Sequence, residues 1–123
     1  MERDMAESVM LEKAKDFAVE IVNTCNAIKE TKREFVLTKQ LLRAGTSIGA
    51  NIHESKYGHG TADFIAKMQI ALKECYESEY WLELLFRTDY LSESEYKCLQ
   101  NQCGAIRRML ISSINTVKTN NTK

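Results

Sequence analysis

The chain contains no proline and only five glycines in 123 residues, so no ring constraint breaks a helix and few positions invite a tight turn. Its β-branched residues are scattered and form no alternating runs, which disfavours sheet. No stretch of about eighteen apolar residues offers a membrane span, and no apolar leader opens the sequence. Neither sign of charge dominates. Seventeen Lys and Arg balance seventeen Asp and Glu, so the strong positive field of a protein built around phosphate backbone is missing. Histidine is scarce as well: neither His53 nor His59 has a glutamate three residues before it, which removes the inward Glu-x-x-His pairs of a di-iron bundle. His59, between two glycines, reads as a loop residue. The four cysteines, Cys25, Cys75, Cys98 and Cys103, form no CxxC pair. Cys25, Cys75 and Cys103 fall on apolar helical stripes, where a free thiol serves as a small buried hydrophobe. A reducing cytoplasm is the expected compartment, with no metal and no cofactor.

Catalytic signatures are missing too. Gly58-His59-Gly60 is too short to cradle phosphate and lacks a following Lys and Ser/Thr pair. Ser47 and Cys75 have no histidine beside them in sequence. No enzyme is expected.

What remains is a chain of ordinary globular composition, 44% hydrophobic and 28% charged, long enough for one core and one domain spanning 1–123. Apolar residues recur at three- and four-residue steps in four segments, giving expected helices at about 6–30, 35–56, 62–88 and 92–118, with 119–123 as a frayed tail. Leu11, Ala14, Phe17, Ala18, Ile21, Val22, Cys25 and Ile28 form the first stripe. Phe64, Met68, Ala71, Leu72, Cys75, Leu82 and Phe86 form the third, and Tyr96, Leu99, Cys103, Ile106, Leu110, Ser113 and Val117 the fourth. Thr61 is placed to cap the third helix, and Leu91, Ser92 and Glu95 supply a hydrophobic residue and a capping box for the fourth. Short links make neighbours antiparallel. The expected fold is an all-α, antiparallel up-down-up-down four-helix bundle with left-handed, near-parallel packing.

The stretch from Leu37 to Tyr57 organises the rest. At about 100° per residue, Leu41, Gly45, Ile48 and Ile52 share one face, whereas Gln40, Arg43, Ser47, Asn51 and Glu54 lie roughly opposite. Gly45 and Gly49 are expected to omit side chains where a neighbour comes close. The second face holds one Arg, one Glu, a hydroxyl and two amides, a set able to satisfy itself in a half-buried seam; the alternative is a solvated face.

The run Gln40, Arg43, Ala44, Ser47, Ile48, Asn51, Ile52 and Glu54, followed by the spacing of Ala71, Leu72, Glu74, Glu77, Trp81 and Leu82, resembles the bacterial four-helix bundle family of intervening sequences in large-subunit (23S) ribosomal RNA genes. That family is related to the accessory variability proteins of diversity-generating retroelements. The resemblance extends from about Ala6 to Lys118. Where the family pattern reads Asn-Ile-Ala-Glu-Gly, this chain has Asn51, Ile52, His53, Glu54 and Ser55, so the turn glycine falls later, at Gly58 and Gly60. The resemblance implies a homopentamer with an accessory role, beside a reverse transcriptase in the retroelement branch.

Three sets of candidate site residues follow. Ile70, Trp81 and Leu84 lie on a second face of the third helix, about 140° from its core stripe, and on a chain with room for one core they suggest a subunit contact. The alternative is a tryptophan lying over the edge of its own bundle. Arg43, Ser47, Asn51, Glu54, Glu74 and Glu77 form the expected polar seam, with Arg43 pairing Glu74 or Glu77. Lys32, Arg33, Arg107 and Arg108 are candidates for weak phosphate contacts with RNA or DNA, repeated around an oligomer; the alternative is ordinary surface charge on a protein-binding scaffold without nucleic-acid affinity.

Overall fold

The computed structural model describes residues 2–121. Its elements are α1 (Glu2–Lys32), α2 (Leu37–Ser55), α3 (Gly60–Arg87) and α4 (Glu93–Asn121), with no strand among the described residues. α1 and α4 are longer than expected: residues 2–5 are helical, and α4 runs to Asn121. Of the expected loose tail, 122 and 123 lie outside the described residues, as does Met1.

Each helix packs on its two neighbours around a square, α1 on α2, α2 on α3, α3 on α4 and α4 on α1, with no close backbone approach across either diagonal among the described residues. Arg43 of α2 meets Glu74 of α3, while Glu54, later on α2, meets Lys67, earlier on α3. On the next seam Phe86 stacks on Tyr96, and Glu79 pairs with Arg107. Both crossings are antiparallel. The core fills with Phe17, Met10 and Ile21 from α1, Leu41, Ile48 and Ile52 from α2, Met68, Leu82 and Leu85 from α3, and Ile106 and Leu110 from α4. Three stripes differ from the expected spacing; on α1, Val22 is exposed and Ala18 half-buried, outside the core that Phe17 and Ile21 fill. On α4 the buried residue is Ile114, not Ser113, and on α3 Leu85 is fully buried while Leu72 and Phe86 sit half-buried at the edge. In both cases two neighbouring positions fit the rhythm; on α4 the apolar Ile114 takes the core in place of a hydroxyl, and on α3 Phe86 instead stacks on Tyr96 at the seam.

The connections use charged residues where sequence reading looks for glycine. Arg33 turns α1 off at φ 57, and Asp89 ends α3 at φ 68. At the second site the Tyr90 N–H donates to the Leu85 carbonyl at 2.8 Å and the Asp89 N–H to Phe86 at 3.1 Å, the paired bonds of a Schellman ending. Glu34 starts α2: its carboxylate accepts the N–H groups of Val36, Leu37 and Thr38 at 3.1, 2.8 and 2.9 Å. Burial alone would raise the Glu34 carboxyl pKa, but these donors hold it below its ordinary value. Thr61 is not the cap of α3. That helix begins one residue earlier, at Gly60 with φ +85, and the His59 N–H donates to the Asp63 carboxylate at 3.0 Å. The capping box of α4 is formed, with the Ser92 N–H on Glu95 at 2.9 Å and the Glu95 N–H on the Ser92 hydroxyl at 3.2 Å.

Candidate functional surfaces

Polar chemistry gathers on two seams of the bundle. On the α2–α3 seam, Arg43 donates through Nη1 to Glu74 Oε2 at 3.0 Å and through Nη2 to Glu77 Oε1. Trp81 Nε1 donates to the same Glu77 oxygen at 3.3 Å. Glu74 is 7% exposed, whereas Arg43 keeps about half its side chain in solvent. The Arg43 guanidinium holds the Glu77 carboxyl below its ordinary pKa, and the hydrogen bond to Glu77 raises that of Arg43.

The other seam residues do not join this cluster. Ser47 donates to the Arg43 carbonyl at 2.6 Å and Asn51 to the Ser47 carbonyl at 2.8 Å, so both back-bond along α2. Glu54 pairs with Lys67 at 2.9 Å, further along the seam. Of the second apolar face, Trp81 and Leu84 are half-buried and Ile70 is 43% exposed, with Tyr80 beside them at 57% and edge-on to Trp81 at 5.1 Å.

The four candidate cations do not form one strip. Lys32 donates to the carbonyls of Asp89 and Tyr90 at 3.1 and 3.3 Å, tying the end of α1 to the α3–α4 loop. Arg33 lies 5.2 Å from the centre of the Phe35 ring. Arg107 and Arg108 stand fourteen and fifteen residues into α4, about 20 Å down the axis from that loop. Arg107 donates through Nε to Glu79 at 3.2 Å and lies 5.7 Å from the Tyr76 ring centre. Sequence reading missed Tyr76, Tyr80, Glu79 and Gly104 around this pair. The available signal was two tyrosines four apart on an outer helix face.

Cys25, Cys75 and Cys103 are buried and free, and Cys98 is exposed. Burial lifts the Cys25 thiol to about 11. The hydrogen bond with Cys75, together with burial, lifts Cys103 strongly, so these thiols stay protonated and unreactive at neutral pH. Among the described residues no group of three His, Cys, Asp or Glu is placed to hold a metal, and no helix is long and apolar enough to cross a membrane.

The architecture defines an all-α four-helix bundle protein whose polar groups are concentrated on the α2–α3 and α3–α4 seams. Residues 6–112 match the profile described as 23S rRNA-intervening sequence protein, and the chain belongs to that family. It is also similar to a crystal structure of a protein of unknown function from the S23 ribosomal protein family of Bacteroides thetaiotaomicron. That similarity has 47% sequence identity and a TM-score of 0.88, covering 89% of this chain and 98% of the other. No curated protein matches the sequence.

Proposed function

We propose that the protein is a non-enzymatic accessory or adaptor that works as a homo-oligomer and binds RNA or DNA weakly, without regard to sequence. The likeness to retroelement accessory proteins suggests a pentamer, with a reverse transcriptase as a partner of the kind those proteins serve. One observation carries the assembly: the single core is already filled, yet Ile70 remains exposed in line with half-buried Trp81 and Leu84 on α3. A second copy of the chain is the occupant that would bury them, since aromatic anchors are enriched at subunit contacts.

Nucleic-acid contact would rest on Arg107 and Arg108, with Lys32 and Arg33 as outlying contributors. Repeated around an oligomer, weak phosphate contacts gain avidity without new chemistry. A salt-titrated binding assay on the purified oligomer tests this reading. Each engaged phosphate should add a slope of roughly 0.9 in log affinity against log salt on duplex DNA, and converting Lys32, Arg33, Arg107 and Arg108 to Glu should abolish binding while the oligomer persists. A flat salt response, or no complex at low salt, supports a protein-binding scaffold instead. Two observations favour that second reading: zero formal net charge, and the engagement of Lys32 and Arg107 within the chain itself.

A further inference from the structure

Gly104 sits on α4 beneath two arginines. A Cβ at this position would meet Arg108 Nη1 at 3.3 Å and Arg107 Nη2 at 3.4 Å, so both guanidinium groups fold back over the same residue. Like charges gathered in this way normally carry counter-ions, and here only Arg107 has one. Glu79 takes its Nε, leaving both terminal amino groups unpaired, while Arg108 makes no ion pair or hydrogen bond among the described residues. Glu83, the next acid outward on α3, is held by Arg87 at 3.1 Å. The local surplus of positive charge therefore faces solvent, where a bidentate oxyanion would satisfy it.

The surroundings narrow the choice of oxyanion. Tyr76 and Tyr80 are 52% and 57% exposed, and at a spacing of four residues their rings stand on one side of α3, one helical turn apart. Tyr76 lies under Arg107, and Tyr80 is braced edge-on by Trp81. Two exposed aromatic rings beside a doubly cationic cradle match the chemistry that holds unpaired nucleotides: phosphate on arginine and base on ring. A free phosphate would leave the rings unused. A duplex, whose bases already stack on one another, could offer only its backbone.

Building on the nucleic-acid reading above, we propose that the α3–α4 ridge is a site for single-stranded nucleic acid, with a phosphate held by Arg107 and Arg108 over Gly104 and successive bases stacked on Tyr76 and Tyr80. The arrangement reads no base edge, so recognition depends on the strand being unpaired and not on its sequence.

The test compares a fluorescein-labelled single-stranded RNA of about twelve nucleotides with the same sequence annealed into a duplex, by anisotropy at low salt. The single strand should bind more tightly. Tyr76→Ala and Tyr80→Ala should each weaken single-strand binding about five- to 150-fold and leave duplex binding unchanged, whereas Tyr76→Phe and Tyr80→Phe keep the ring and should keep the affinity. Arg108→Gln should weaken both forms and reduce the salt slope. Since these side chains are exposed, unchanged thermal unfolding of the variants serves as the folding control. If RNA binds but the alanine variants bind it as the parent does, the ridge is overturned while the broader nucleic-acid reading stands. If neither strand form binds at low salt, both are overturned.

Discussion

Gly45 and Gly49 stand one turn apart on α2, facing α1, and the structure gives them opposite roles. A methyl group at Gly45 would come within 2.9 Å of Ile21 Cγ2 and 3.3 Å of its Cβ, a branched core side chain with no freedom to retreat, whereas at Gly49 the nearest atom is the Ala14 Cβ at 3.5 Å, ordinary contact. Replacing a helical glycine with alanine gains about 0.5–1 kcal/mol in backbone terms, and overpacking costs about 1–3. Gly45→Ala should therefore destabilise the fold by about 1 kcal/mol, while Gly49→Ala should stabilise it by about 0.5–1; chemical denaturation measures both. The sequence pattern treats the two glycines alike, because spacing locates a close approach without saying which atoms meet there. Arg43 illustrates the same limit. Its pairing with acids on the third helix is legible from helical geometry, but the roles of Ser47, Asn51 and Glu54 are not, because a short polar side chain can turn back to its own helix as easily as across a seam. Removing Arg43 leaves Glu74 buried without its partner, so Arg43→Ala should cost about 1–3 kcal/mol, and Glu74→Leu in the same chain should recover most of it.

Among the elements, the four helices were legible because their apolar stripes hold the 3.6-residue period over many turns. Their ends were not. The signals used to find helix ends are glycine, proline and small polar caps, and this chain turns at Arg33 and Asp89 and caps α2 with Glu34. Glu95, in the formed capping box of α4, was recognisable because Ser92 precedes it at the standard spacing. These carboxylates share a pH signature. Glu34, through its backbone donors acting against burial, Glu77, chiefly through Arg43, and Glu95, through the Ser92 N–H, all have lowered pKa values. A lowered folded-state pKa contributes stability that is fully present above the unfolded value of about 4.3 and is lost as pH falls through the folded value. The melting temperature should be steady from neutral pH to about 5 and drop below about 4.3, with a shallower drop in Glu34→Gln. Glu34→Ala should cost about 0.5–2 kcal/mol at neutral pH, as loss of a helix cap does. A cap of no consequence would leave that unfolding curve in place.

At the scale of the whole molecule, one filled core and two chemically distinct seams give the chain different faces for different work. The α2–α3 seam carries the apolar set Ile70, Trp81 and Leu84 beside an internally satisfied ion-pair cluster, and the α3–α4 seam carries the arginines and exposed tyrosines. The first face was visible in the sequence as hydrophobic residues left over once the core was assigned. The second was not, because it depends on side chains of two helices folding over a glycine, a coincidence no single-helix pattern contains. Assembly through the first face would leave the second open on every subunit, and this arrangement would let the proposed weak contacts with nucleic acid add up. The most direct test of this account is the mass of the purified protein by light scattering at tens of micromolar, for the parent chain and for Trp81→Ala. The account predicts a homo-oligomer, at the five-subunit mass, that dissociates or weakens in the variant. A parent that runs as a monomer, or an oligomer indifferent to the loss of Trp81, would contradict it.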